Sequence, residues 1–173
     1  MATMPAYVAL LRAVNVVGTG TLPMTALKAM CEDLGFAKVK TYIASGNVVL
    51  QSRLSEAKFK STLEAALLAY FGKPSGIMVR TAPEMAAVLA ANPFAEMHPS
   101  YTVAIFLDAA PPANALETLS KHTIEQLSLG LREIYVHYPN GQGQSRLGIP
   151  AAKAGTARNM NTIAKLAEMA LNL

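Results

Sequence analysis

Apolar residues in the first half of the chain form short β-favouring runs separated by stretches with helical spacing. The runs at residues 7–14 and 77–81 predict buried strands. Between them, the runs at residues 39–44 and 47–52 flank a Ser-Gly pair at residues 45–46 and predict a hairpin.

Two amphipathic helices are predicted between these strands. In residues 23–34 the apolar side chains recur at three- and four-residue spacing, and Gly35 follows as a left-handed C-cap. In residues 55–70 a serine can cap the helix start, and Gly72 stops it. The order β-α-β-β-α-β is that of the ferredoxin-like fold.

The second half partly repeats this order. After a connecting helix at residues 83–91, the pattern predicts strands at 101–107, 132–138 and 145–149 and helices at 113–122 and 156–171, with a hairpin turn at Asn140-Gly141. The predicted fold is therefore α+β, with two ferredoxin-like halves at residues 1–82 and 83–173 whose antiparallel sheets pack together. The similar order indicates an internal duplication.

Composition limits the classes of protein to consider. The chain is 52% hydrophobic and 15% charged, which is typical of a folded globule and not of a disordered chain. Its apolar runs are far shorter than the roughly 20 residues that cross a bilayer, and the N-terminus does not resemble a signal peptide. We therefore expect a cytoplasmic protein without a membrane partner.

Residues that commonly carry catalysis or bind metals are few and scattered. His98, His122 and His137 are isolated, and the single cysteine, Cys31, is expected to be a buried core thiol. His137 is expected on a solvated strand face. No G-x-S-x-G motif occurs, and the Gly-Thr-Gly at residues 18–20 is interpreted as an ordinary loop. The sequence thus predicts no metal and no cofactor.

The segment at residues 155–165 offers one candidate anion site. If Thr156 caps the last helix, its first amides and the positive end of the helix dipole can receive an anion. Arg158, Thr162 and Lys165 recur at four- and three-residue spacing and would share one helix face. That face is either a phosphate or carboxylate site or simply solvated.

Four motifs resemble the bacterial family of unknown function called DUF1697. They are Leu-Arg-Ala-Val-Asn at residues 11–15 with Gly18, Leu-Gly-Phe at 34–36, Tyr-Ile-Ala-Ser-Gly-Asn-Val at 42–48, and Thr-Ala-Arg-Asn-Met-Asn-Thr at 156–162 with Lys-Leu at 165–166. The resemblance implies a two-part ferredoxin-like fold and no established activity. This chain departs from the family pattern at Val17, where the family usually has the first glycine of a Gly-Gly pair.

The polar members of these motifs are the candidate ligand-binding residues. Carried over from the resemblance, together with the helix-start threonine, they are Arg12, Asn15, Ser45, Asn47, Thr156, Arg158, Asn159, Asn161, Thr162 and Lys165.

Three functions are compatible with these residues. The net charge of +4 and the pI near 9.3 favour binding of a phosphate-bearing small molecule or a nucleic acid. An enzyme acting on a phosphorylated or carboxylated metabolite, with Arg158 holding the anion, is the second. The third is a structural or interaction module, in which Asn15, Asn47 and Asn159 brace the halves through buried hydrogen bonds.

Overall fold

The chain forms two compact units. The computed structural model describes residues 4–15 and 21–173, so the Gly-Thr-Gly at residues 18–20, predicted to be an ordinary loop, lies outside the described residues. Unit 1 comprises Met1–Met85 and Leu166–Leu173, and unit 2 comprises Ala86–Lys165.

Unit 1 contains a four-stranded antiparallel sheet with two helices between its strands. Its elements are β1 (Ala6–Leu11), α1 (Met24–Asp33), β2 (Ala37–Tyr42), β3 (Asn47–Gln51), α2 (Glu56–Phe71) and β4 (Ile77–Thr81). The strand order is β2-β3-β1-β4, and every pair is antiparallel. The ferredoxin-like prediction for this half is confirmed.

Local sequence explains where the unit 1 helices begin and end. The hydroxyl of Ser55 accepts a hydrogen bond from the Lys58 amide at 3.2 Å, and Gly72 ends α2 at φ 72°. Apolar residues of α2 then meet one face of the sheet, where Tyr7 stacks on Phe59 with ring centroids 5.0 Å apart. Val8, on the opposite face of β1, is also fully buried.

Unit 2 repeats the sheet but not the helices between its strands. It begins with part of α3 (Ala82–Ala90), and its strands are β5 (Thr102–Phe106), β6 (Gln126–Leu129), β7 (Glu133–His137) and β8 (Thr156–Asn159). The first part of α4 (Met160–Leu171) follows, and the rest of this helix, from Leu166, belongs to unit 1. Short 3-10 turns occur at Pro99–Tyr101, Ala115–Glu117, Gln142–Gln144 and Pro150–Ala152. The order β6-β7-β5-β8 matches that of unit 1 strand for strand.

Three predictions for unit 2 are wrong. Residues 113–122 contain only a short 3-10 turn, and residues 145–149 form no strand beyond one isolated bridge from Ser120 to Gly148. The hairpin joins β6 to β7, where the Gly130 amide donates to the Glu133 carbonyl at 2.7 Å, and not at Asn140-Gly141. The four-residue strand β6 is too short for its alternation to be recognised.

The last helix begins four residues later than predicted. Residues 156–159 pair with β5 as β8, so that Arg158 lies opposite Ala104. Gly155 permits this pairing, because a Cβ there would lie 2.7 Å from the Phe106 carbonyl oxygen. The sequence pattern predicted only three strands in this half, and the fourth is formed by residues that were predicted to begin the last helix.

Strand β7 is buried on both faces. The expectation that His137 lies on a solvated face is wrong, since all five residues of β7 are buried and His137 Nδ1 is 2.9 Å from the Thr102 hydroxyl. Within the described residues, no helix has the length and apolar character needed to cross a membrane.

Candidate functional site

Four of the predicted site residues lie at one end of the unit 1 sheet. Because the strands are antiparallel, the ends of β1 and β2 and the starts of β3 and β4 meet at the same edge. Arg12 and Asn15 follow β1, while Ser45 and Asn47 close the hairpin between β2 and β3. The structure thus brings together the motifs at residues 11–15 and 42–48.

Asn15 ties the turn after β1 to its surroundings through three hydrogen bonds. Its Nδ2 donates to the carbonyl oxygens of Leu22 at 2.9 Å and Ala44 at 2.8 Å, and its Oδ1 accepts from the Leu22 amide at 2.6 Å. The side chain bonds three backbone groups although the residue is exposed. Its observed contacts are therefore those of a brace.

The hairpin end is also held by close contacts. Asn47 is fully buried, and its Nδ2 donates to the Tyr42 carbonyl at 2.8 Å and to Ser45 Oγ at 2.9 Å. Gly46 has φ 90°, and a Cβ there would lie 2.6 Å from Val14 Cγ2. Only glycine allows the hairpin to approach the end of β1 this closely.

Backbone strain concentrates at the same edge. Ala13 and Asn15 have φ values of 55° and 57°, and the β-branched Ile43 has φ 50°. Left-handed backbone is uncommon for residues with a Cβ and is an outlier for a β-branched one. Such strain clusters at ligand and active sites, so this edge is a candidate functional site.

A cleft of about 180 Å³ opens beside this strained turn. We call it the Arg12 cleft; its lining consists of Arg12, Ala13, Val14, Phe71, Lys73, Pro74, Ser75 and Gly76. The Arg12 amide donates to the Gly76 carbonyl at 3.0 Å, which fixes the turn against the start of β4. Within the described part of the chain, the lining includes two exposed cationic residues and no acidic one.

A second cleft of about 290 Å³ shares the segment at residues 74–76 with the first. We call it the Leu68 cleft; its lining consists of Glu64, Ala65, Leu68, Pro74, Ser75 and Gly76. The carboxylate of Glu64 accepts from Lys60 at 2.8 Å and from the Ile77 amide at 3.3 Å. The remaining side chains of this cleft are apolar apart from Ser75.

The C-terminal candidates occupy unit 2 in a different arrangement from the one predicted. Arg158 lies on β8, is only 7% exposed, and donates to Thr156 Oγ1 at 2.8 Å and to the Ala157 carbonyl at 2.9 Å. Burial lowers the pKa of Arg158 to about 10, which leaves the guanidinium charged at neutral pH. The predicted helix start at Thr156, with Arg158 presented to an anion, is wrong.

Asn159 begins the helix in place of Thr156. Its Oδ1 accepts from the Thr162 amide at 2.9 Å, the usual N-cap bond. Thr162 is buried and Lys165 is exposed, so the predicted cationic stripe with Arg158 does not exist. Asn161 is exposed and donates to Ser100 Oγ at 3.0 Å.

Sequence reasoning missed a second buried arginine. Arg80 on β4 is 1% exposed, and its Nη1 donates to the Val79 carbonyl at 2.9 Å, as Arg158 does to Ala157. Each arginine lies near the end of the fourth strand of its sheet, just before a helix-capping residue. The cap after Arg80 is Thr81, whose Oγ1 accepts from the Glu84 amide. This shared strand-Arg-cap-helix pattern supports the predicted duplication.

A third cleft, in unit 2, contains a carboxylate that the sequence did not indicate. It measures about 130 Å³, and Glu125 at its wall accepts from Ser145 Oγ at 2.7 Å and from the Thr123 amide at 2.9 Å. These hydrogen bonds, led by that of Ser145, lower the pKa of Glu125 to about 2. None of the three clefts is lined by Arg158.

The thiol of Cys31 shows no sign of activation. It is fully buried in the unit 1 core, as expected, and burial raises its pKa to about 12. Within the described part of the chain, no three His, Cys, Asp or Glu side chains are placed to hold a metal ion.

Comparison with known proteins places the chain in a family without an assigned activity. No curated protein matches it significantly. A solved structure described as that of the conserved bacterial protein SP0830 from Streptococcus pneumoniae is similar with a TM-score of 0.80 at 22% identity, over 97% of this chain and 99% of that one. At that identity the likeness supports the α+β fold alone.

The family match itself covers residues 4–135. It includes the motifs around Arg12 and Asn47, whereas the motif at residues 156–162 lies beyond it. The chain therefore belongs to the family described as "Protein of unknown function (DUF1697)".

Proposed function

We propose that the protein binds a small phosphate-bearing molecule and that the Arg12 cleft receives the phosphate. The observation that carries the proposal is the presence of both Arg12 and Lys73 in the lining of a cleft whose described lining has no acidic side chain. A phosphate monoester carries a charge near −1.5 to −2 at neutral pH, and two cations match it better than they match a single carboxylate.

Hydrogen-bond donors in the cleft would add to the electrostatic attraction between these cations and a phosphate. The hydroxyl of Ser75 can donate to a phosphate oxygen, and arginine can donate two parallel bonds. The strained turn from Arg12 to Asn15 is held by the three hydrogen bonds of Asn15. These bonds fix the backbone position from which the Arg12 side chain extends. In this proposal Asn15 and Asn47 position the turn and do not touch the ligand.

A small molecule is a better candidate than a nucleic acid. The cleft of about 180 Å³ suits one phosphate group and not an extended strand. Ferredoxin-like RNA-binding domains stack bases on aromatic side chains of the exposed sheet face. Here Tyr135, an aromatic side chain on the central strand β7, is buried, and its hydroxyl donates to the Val88 carbonyl at 2.7 Å.

Binding is proposed without catalysis. Among the residues that the structure describes, the cleft lining contains no histidine, cysteine or carboxylate that would serve as an ordinary proton-transfer group. Arg158, the anion-holding residue of the predicted enzyme, is buried on a strand. The cytoplasmic location predicted from the sequence remains part of this proposal.

An NMR titration of the whole chain with inorganic phosphate tests the proposal. Amide resonances of residues 12–14, 73, 75 and 76 are expected to shift, while sodium chloride at matched ionic strength leaves them in place. Shifts confined to residues 156–159, or no shift at high millimolar phosphate, would refute it.

Charge-removing variants locate the site. R12Q and K73Q are each expected to weaken phosphate binding at least about tenfold, since a charge-assisted hydrogen bond contributes about 1.5–3 kcal/mol. K28Q removes the same charge from an exposed position on α1 and is expected to bind as the unmodified chain does. Equal weakening in all three variants would indicate non-specific attraction to a basic protein.

A further inference from the structure

The two clefts of unit 1 have complementary chemistry and a common wall. The Arg12 cleft is cationic, and the Leu68 cleft beside it is lined mainly by apolar side chains. The segment at residues 74–76 belongs to both. A single ligand can therefore place a charged group in one cleft and an apolar group in the other.

Helix α2 supplies the side chains that connect the clefts. Leu68 lines one, and Phe71, three positions later on the same helix side, lines the other. Leu68 is 45% exposed and Phe71 is partly buried, so α2 contributes one apolar side chain to the lining of each cleft. Solvent-exposed apolar surface beside a cationic group is typical of a site for an amphipathic molecule.

The volumes set the size of that molecule. A cavity of about 150 Å³ holds benzene. The Leu68 cleft, at about 290 Å³, has room for an aromatic ring or a short branched chain. The Arg12 cleft is left for the phosphate itself.

The one acidic side chain at the Leu68 cleft does not oppose an anion strongly. Glu64 forms an ion pair with Lys60 at 2.8 Å and accepts the Ile77 amide at 3.3 Å. Its charge is balanced locally, and the carboxylate is fixed to the start of β4. A neutral apolar group can therefore enter beside Glu64. The phosphate then does not face a carboxylate whose charge is uncompensated.

We infer that the ligand is a phosphate monoester of a compact apolar alcohol or phenol, with its phosphate in the Arg12 cleft and its apolar group in the Leu68 cleft. This inference rests on the proposed phosphate site. It goes further by assigning the apolar part of the ligand to named residues of α2.

Calorimetric titration of the whole chain with inorganic phosphate, phenyl phosphate and phenol tests the inference. Phenyl phosphate is expected to bind at least about tenfold more tightly than inorganic phosphate, a difference of about 1.4 kcal/mol. Phenol alone is expected to bind only weakly, because it lacks the charged group.

Variants at exposed leucines test whether the tighter binding of phenyl phosphate depends on the Leu68 cleft. L68S is expected to remove most of the advantage of phenyl phosphate while leaving the affinity for inorganic phosphate unchanged. L131S makes the same change in unit 2 at a residue that is 85% exposed and is expected to have no effect. Circular dichroism of both variants confirms that they remain folded.

The outcomes separate the two proposals. If inorganic phosphate binds and phenyl phosphate binds no more tightly, the Leu68 cleft assignment is wrong and the phosphate site stands. The same conclusion follows if L68S keeps the full advantage. If neither phosphate compound binds, the proposed function itself is wrong, and this inference falls with it.

Discussion

The side chain of Asn15 donates a hydrogen bond to the carbonyl of Ala44, 29 residues later in the chain, at 2.8 Å. This bond joins the turn after β1 to the hairpin between β2 and β3. Two of the motifs that carry the family resemblance, at residues 11–15 and 42–48, are therefore in direct contact. Their shared edge is strained at Ala13, Asn15 and Ile43, and it borders the Arg12 cleft.

Replacing Asn15 with alanine is expected to destabilise the protein by about 1–2 kcal/mol. Three hydrogen bonds are lost, but the exposed position allows water to replace part of them. Urea denaturation measures the change. N140A, at an exposed position of unit 2, is the control and is expected to change stability little. An unaltered midpoint for N15A would contradict the bracing role.

Replacing Gly46 with alanine is expected to destabilise the protein by about 2–4 kcal/mol. The new Cβ would lie 2.6 Å from Val14 Cγ2 and 2.9 Å from Leu11 Cβ, and the residue must also keep φ 90°. The midpoint of urea denaturation reports the loss.

Variants at two other glycines separate the cost of the close Cβ contact from the cost of the positive φ. Gly72 has φ 72° with open space around its Cβ position, so G72A is expected to cost only about 1–2 kcal/mol. Gly143 has open space and an ordinary φ, and G143A is expected to be nearly neutral. If G46A costs no more than G72A, the close approach to Val14 is not important.

Stability is expected to fall as the pH rises from about 10 to 12. Burial, assisted by Glu133, raises the pKa of Tyr135 from 10.0 to about 12. The unfolded chain therefore loses this proton at a lower pH than the folded one. The stabilisation is complete below pH 10 and is lost as the pH passes 12, with a magnitude on the order of 2 kcal/mol.

The Y135F variant identifies the responsible group. It is expected to be less stable at neutral pH, because the hydroxyl no longer donates to the buried Val88 carbonyl, and to lose less stability between pH 10 and 12. Y70F, at a residue that is 48% exposed, serves as the control. An identical alkaline profile for Y135F and the unmodified chain would assign the effect to other groups.

Glu125 is expected to make stability depend on pH in the acid range. Its pKa falls from 4.5 to about 2 in the folded chain, so its contribution is present above pH 4.5 and disappears as the pH falls through 2. E125Q should be less stable than the unmodified chain at pH 7, and the difference should shrink towards pH 2. E117Q, an exposed control, should show no such trend.

The elements of the fold were predictable where the sequence has clear local signals, such as helix caps and apolar runs. Ser55 and Gly72 bound α2, as expected from a capping serine and a left-handed glycine. Strand β4 begins and ends where its apolar run does. Cys31 lies in the core because it continues the apolar face of α1.

Where two structures suited the same residues, prediction failed. The segment Thr156–Asn159 has no local feature that excludes a helix, and only its pairing with β5 makes it a strand. That pairing changes Arg158 from a predicted anion receptor to a buried side chain. The cleft at Arg12 was invisible for a related reason, since Lys73 and Ser75 are about sixty residues away along the chain.

The sequence by itself determined the α+β class, the strand and helix order of unit 1 and the set of polar motif residues. These follow from hydrophobic period, caps and turns, all of which act over a few residues. The tertiary structure alone decided which motif residues meet, which are buried and which border a cleft. Those properties depend on contacts between distant segments, which no local pattern encodes.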